Sequence, residues 1–176
     1  MNALVSVVIP VYNGAEYLEA TVKTILAQDY DNIEILLVND GSKDSSEQLI
    51  NTLAENNSNI KGFHKQNGGV AAARNYGIER ANGELVAFCD QDDFWLPTKL
   101  SKQVPLFENP KVGLVYCGAI ADYAHLNKQD KPSFERKYRG DVFDNDVIKE
   151  IADKHNVTPA QISLAWILSD KHRVAI

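Results

Sequence analysis

Between residues 4 and 116 the chain alternates short runs of apolar, mostly β-branched residues with longer stretches in which apolar positions recur every three or four residues. A short continuous apolar run suits a strand buried on both faces, and the longer period is that of an amphipathic helix. Strands are predicted over 4–9, 33–38, 84–89 and 112–116, with a weaker one over 60–64. Helices are predicted over 15–28, 44–56, 70–81 and 97–107, the last opening on Pro97, where a missing N–H costs little. Strand and helix alternating in this way build an α/β fold, a mostly parallel Rossmann-like sheet flanked by helices. In such a sheet ligands collect at the carboxyl ends of the strands, so the polar loops that follow each strand are where chemistry is expected.

After Tyr116 the pattern changes. Residues 121–140 are polar, charged and aperiodic, as in a linker or an excursion from the sheet. A helix is predicted over 146–155, and Thr158-Pro159-Ala160-Gln161 is a capping box with proline at the first helical position, opening a second helix to about residue 168. A short strand over 173–176 closes the pattern, so the chain divides into 1–144 and a segment of two helices and a strand over 145–176.

With 176 residues and 44% hydrophobic content, the chain is long enough for one domain with a sizeable core. Its 18 basic and 24 acidic residues leave a formal charge of −6, which argues against an electrostatic grip on nucleic acid or an anionic membrane. Any anionic ligand must therefore be held locally. No stretch approaches the roughly 18 apolar residues of a membrane span, and no basic region precedes an apolar leader, so a cytoplasmic protein is expected. Cys89 and Cys117 lie in apolar runs at a spacing unlike a zinc pattern and read as reduced core residues.

The most informative cluster is Asp90-Gln91-Asp92-Asp93, directly after the run Val86-Ala87-Phe88-Cys89. Three carboxylates on one turn repel each other and are stabilised by a cation; hard oxygen donors favour Mg²⁺ or Mn²⁺. Mg²⁺ takes one or two protein carboxylates and completes its shell with water and phosphate oxygens, which implies a diphosphate ligand. The competing reading is an acidic turn whose Asp side chains cap the following helix. Asn39-Asp40-Gly41-Ser42 brings another carboxylate to a strand end, where Asp40 could accept a hydrogen bond from a base N–H and Ser42 or Asp44 could cap the next helix. Asn67-Gly68-Gly69 leads into a helix of small residues that allows close backbone approach, and Arg74 near its start can pair with phosphate or with a carboxylate such as Asp40 or Asp92. Tyr12 and Asn13, after the first strand, could stack on or hydrogen-bond a base, or simply form a turn.

In this order, these pieces resemble the inverting glycosyltransferases of family 2, which have the GT-A nucleotide-diphospho-sugar fold. The resemblance is carried by Val5-Ser6-Val7-Val8-Ile9-Pro10-Val11-Tyr12-Asn13, Val38-Asn39-Asp40-Gly41-Ser42, Asn67-Gly68-Gly69, Ala73-Arg74-Asn75 with Gly77, and Asp90-Gln91-Asp92-Asp93 with Trp95-Leu96-Pro97, and it extends over 3–144. It implies that Asp40 meets the base, that Pro10 and Tyr12 shape the base pocket, and that Arg74 contacts the nucleotide. Asp90 and Asp92 match the D-x-D element, which in that family touches the ribose and, through Mn²⁺ or Mg²⁺, the diphosphate; Asp92 is the first choice of metal ligand. The reaction implied is transfer of a sugar from a nucleoside-diphosphate donor, a UDP-sugar foremost, to an acceptor hydroxyl with inversion. No residue matches the family's catalytic base, and the acceptor is unassigned.

From Val147-Ile148-Lys149 through Ala165-Trp166-Ile167-Leu168 the chain is similar instead to the late helices of aldo-keto reductase barrels, without any of that family's catalytic residues. Either a barrel fragment replaces the acceptor half of a truncated transferase, or the likeness is a chance one between short helices. In the first case the fragment would cover apolar surface through Ile148, Ile151, Ile162, Leu164, Ala165, Trp166 and Leu168, or its apolar face could join two chains in a homo-oligomer. The chain would then be a chimera that binds nucleotide and metal without transferring sugar.

Overall fold

The computed structural model describes residues 2–117 and 173–175. Of these, residues 2–116 and 173–175 belong to one compact unit. Its strands are β1 (Val5–Val11), β2 (Ile33–Asn39), β3 (Ile60–His64), β4 (Leu85–Phe88), β5 (Leu114–Val115) and β6 (Arg173–Ala175), in the spatial order β3-β2-β1-β4-β6-β5. Every pairing is parallel. The helices are α1 (Leu18–Leu26), α2 (Ser46–Asn56), α3 (Val70–Ile78) and α4 (Lys99–Gln103), the last running into a 3₁₀ turn over Val104–Glu108.

β1 and β2 are buried along their whole length. Alternate residues therefore pack into different layers. Val5, Val7, Ile9 and Val11, with Ile35 and Leu37, join Leu18, Val22, Ile25, Ile50, Leu100 and Phe107 in the larger core, whereas Val8, Leu36, Val38 and Val86 meet Ala73 of α3 in the smaller one. The α/β architecture expected from the sequence is thus observed, with each predicted strand found to within a few residues. The predicted helix over 97–107 is shorter: α4 begins at Lys99 and tightens to 3₁₀ geometry at Val104-Pro105, because a proline removes the N–H that an α-helical turn would use. Cys89 is buried as expected, but Cys117 is exposed, since β5 ends at Val115 and leaves the next residues outside the sheet. The predicted excursion over 121–140 and the two helices from 146 onward lie outside the described residues.

Gly77 sets the spacing of α3 from the sheet, because a Cβ there would overlap the Cγ1 methyl of Val8. Gly77→Ala should therefore destabilise the fold by about 1–3 kcal/mol through overpacking, even though alanine is the better helix former by ~1 kcal/mol. Thermal melting checks this; a raised midpoint would refute it.

Candidate functional site

The carboxyl ends of β1, β2 and β4 open onto one cavity of about 420 Å³, lined among others by Pro10, Tyr12, Asp40, Ala73, Asp90 and Asp92. Arg74 follows Ala73 on α3 and pairs with Asp90 across 2.5 Å. All six residues singled out from the sequence therefore meet in one place. Topology accounts for this: β1 lies between β2 and β4 with parallel register on both sides, so the three loops leave the sheet at one end.

The loops are stitched together by side chains acting on backbone. Asn13, at φ 51, takes the left-handed conformation that asparagine tolerates. Its Oδ1 accepts from Lys43 N at 2.8 Å, while its own N–H donates to Ser42 Oγ at 3.0 Å. Gly14 N donates to Ser46 Oγ, and Ala15 N donates to Asp44 Oδ2, whose other oxygen accepts from Ser46 N. Asp44 is thus the residue that serves the start of α2.

Asp40 is 3% exposed. Its carboxylate accepts from Lys65 Nζ at 2.6 Å, from Gly68 N at 3.0 and 3.2 Å, and from Gly69 N at 2.8 Å. Burial alone would raise its pKa, but the Lys65 ammonium and the two glycine amides outweigh it and hold the carboxyl below its usual range. The lone pairs read from the sequence as free for a base are occupied by the loop that precedes α3.

Arg74, expected to pair with phosphate or with a neighbouring carboxylate such as Asp40 or Asp92, takes the neighbouring carboxylate of Asp90. Its Nε is buried without an acceptor among the described residues. Asp92 is exposed and has no hydrogen bond or ion pair among the described residues. Partial desolvation and the charges of Asp90 and Asp92 push the Asp93 carboxyl above its ordinary range, so negative charge is crowded on this turn. Among the described residues no three acidic, histidine or cysteine side chains converge as a metal cage. The described residues can offer a hard cation one or two carboxylates, chiefly Asp92, a number that suits Mg²⁺, which completes its shell with phosphate oxygens and water.

The sequence reading missed the support behind this turn. Thr21 and Thr24 on α1, with Gln28 just past its end, form a polar stripe at helical spacing. Thr21 Oγ1 donates to Gln91 O at 2.8 Å, Thr24 Oγ1 accepts from Trp95 N at 3.1 Å, and Gln28 binds Leu96 O and Leu100 N. Thr21 is fully buried and Gln28 7% exposed. Three polar residues at positions 21, 24 and 28 of an otherwise apolar helix face were the available signal. The acidic residues downstream that could serve as a catalytic base, Asp122, Asp130, Glu135, Asp141, Asp144, Asp146 and Glu150, lie outside the described residues.

Comparison with known proteins gives a family and a fold. The model of the family described as Glycosyl transferase family 2 matches residues 6–167, which runs past residue 145, where a separate C-terminal segment was expected to begin. An uncharacterised glycosyltransferase of Rickettsia typhi is 43% identical over 119 residues, 66% of this chain and 36% of that protein. Thus the chain spans little more than a third of that relative's length. Among solved structures, the mannosyltransferase PcManGT of Pyrobaculum calidifontis, in complex with GDP-Man and Mn²⁺, matches with a TM-score of 0.62 at 26% identity over 70% of this chain and 38% of its own. TarS of S. aureus (residues 1–349), in complex with UDP-GlcNAc, matches with a TM-score of 0.57 at 25% identity over 70% of this chain and 38% of its own. Among the described residues no helix is long and apolar enough to cross a membrane.

Proposed function

The chain belongs to glycosyl transferase family 2, and from that premise we propose that the cavity at the ends of β1, β2 and β4 binds the nucleoside diphosphate of a nucleotide-sugar donor, a UDP-sugar foremost, together with Mn²⁺ or Mg²⁺. The single observation that carries this reading is the convergence of Tyr12, Asp40, Asp90 and Asp92 on that cavity, with Arg74 paired to Asp90. Tyr12, 46% exposed at its wall, offers an aromatic face for a base, with Pro10 beside it. Asp92, unpartnered, is the carboxylate free to ligate the cation, with Asp90 beside it held in place by Arg74. A bound divalent cation would neutralise the diphosphate as charge develops on it. The unsatisfied Arg74 Nε adds a donor that a ligand oxygen could engage after a small movement.

In the transfer step the acceptor hydroxyl oxygen forms a bond to the anomeric carbon as the bond to the diphosphate oxygen breaks, taking its electron pair with it. Attack from the face opposite the leaving group inverts the anomeric centre, and a carboxylate takes the hydroxyl proton. UDP-GlcNAc bound to TarS and GDP-Man bound to the Pyrobaculum enzyme support the ligand class, and the Mn²⁺ of the latter supports the cation.

UDP should bind with Mn²⁺ present, and Asp92→Ala should weaken that binding at least by the order of 10- to 100-fold that losing even an outer-shell partner of a metal costs. Calorimetric titration with UDP and with GDP, with and without Mn²⁺, is the test. If neither nucleotide shows metal-dependent binding, the donor site is refuted. Product formed from UDP-sugar and a panel of acceptors, above the hydrolysis background, tests transfer separately.

A further inference from the structure

β1 and β4 stay paired up to Val8 and Phe88, and the last backbone bond between them runs from Cys89 N to Val8 O at 3.2 Å. Beyond that point the two backbones separate, and the side chain of Gln91 takes over. Its Oε1 accepts from Tyr12 N at 2.9 Å and its Nε2 donates to Tyr12 O at 3.3 Å. Both backbone groups of Tyr12 are thus satisfied by an amide side chain where no neighbouring strand continues to serve them. Room for that amide exists because residue 14 is glycine: a Cβ there would overlap the Gln91 carboxamide. The Gln91 carbonyl is meanwhile tied to Thr21 on α1. One residue thus fastens the acidic turn of Asp90 and Asp92 both to the helix behind it and to the loop carrying Tyr12.

We propose that Gln91 is a positioning residue that fixes the distance between the cation-binding turn and the base-binding loop, so that a ligand spanning both is held by both at once. The proposal rests on the donor-site reading above. A ligand engaging only one side, such as uridine, is indifferent to that distance; UDP with Mn²⁺ depends on it. A merely structural role would weaken both ligands alike.

Gln91→Met keeps the length of the side chain and removes both hydrogen bonds. Gly14→Ala displaces the Gln91 amide while leaving Gln91 itself in place, and Gly14 does not have a positive φ, so alanine meets no backbone strain there. Each should lower the affinity for UDP with Mn²⁺ by a factor within about 5- to 150-fold, the usual range of coupling between sites. Uridine affinity, followed by NMR titration, should stay within about twofold, and the double variant should be no worse than the weaker single one, because both remove one interaction. UDP–Mn²⁺ affinity unchanged in both variants, or uridine and UDP–Mn²⁺ falling together, overturns the proposal and leaves the donor site standing. Wild-type protein that binds uridine but shows no metal-dependent UDP binding refutes the donor site, and this proposal with it.

Discussion

Glu34→Ala is expected to destabilise the chain by about 3–5 kcal/mol, the range for breaking a buried charged network by removing one partner. Glu34 is the second residue of β2, at the amino end of the sheet and so at the opposite end from the cavity, and it is 6% exposed. Ser6 Oγ donates to its Oε1 at 2.6 Å, Asn82 N donates to the same oxygen at 2.7 Å, and Lys61 Nζ reaches Oε2 at 2.8 Å. Ser6 Oγ in turn accepts from Gly83 N at 2.8 Å. One carboxylate therefore joins β1, β2, β3 and the turn before β4. Alanine leaves the buried Ser6 hydroxyl and the Asn82 amide without their acceptor, which costs more than the bonds themselves.

The acid dependence of this network follows from the same contacts. Burial would raise the Glu34 pKa, but Lys61, Ser6 and Asn82 outweigh it and lower it from 4.5 to about 2. A folded-state pKa below the unfolded one gives stability that is fully present above pH 4.5 and is lost as pH falls through about 2. That shift is worth roughly 3 kcal/mol. Chemical denaturation at stepped pH should therefore find the gap between wild type and Glu34→Ala narrowing from pH 5 to pH 2; a constant gap would count against the assignment.

The strands and the order of the loops were legible in the sequence because they depend on local composition. The run Val5-Ser6-Val7-Val8-Ile9 reads as a doubly buried strand whatever surrounds it, and the cluster Asp90-Gln91-Asp92-Asp93 is acidic on its face. The polar groups that hold the site together were not legible, because each acts on a backbone group far away in sequence. Thr21 binds Gln91 O and Gln91 binds Tyr12, separations of 70 and 79 residues. A threonine in a helix or an amide in an acidic turn reads by itself as solvent-facing. Partner choice was undetermined for the same reason: Arg74 near three carboxylates has no local rule that selects Asp90, and Asp40 read as a free acceptor only because Lys65 and the Gly68 and Gly69 amides approach it from another strand-loop unit.

Asp40→Asn is expected to abolish nucleotide binding at concentrations that saturate the wild type, and the physical question is by which route. Asn67-Gly68-Gly69 forms the entry to α3, with Gly69 at φ 86, and α3 has no side-chain cap of its own. Asp40, just past the end of β2, instead fixes the residues that lead into the helix by accepting from the two glycine amides, and it places a negative charge near the helix's positive end. An asparagine must point its NH₂ group at Lys65 or at those amides, and the Lys65 side chain, 17% exposed, is left without its counter-charge. On this view the loop and Arg74 on the helix behind it lose their positions, and Lys65→Met, which removes the same ion pair from the other side, should lower UDP affinity by a similar factor. Hydrogen exchange at the Gly68 and Gly69 amides should rise in both variants. If Asp40→Asn removes binding while Lys65→Met leaves both affinity and exchange at wild-type levels, then Asp40 acts by direct contact with the base, and its bonds to the loop are incidental to that contact.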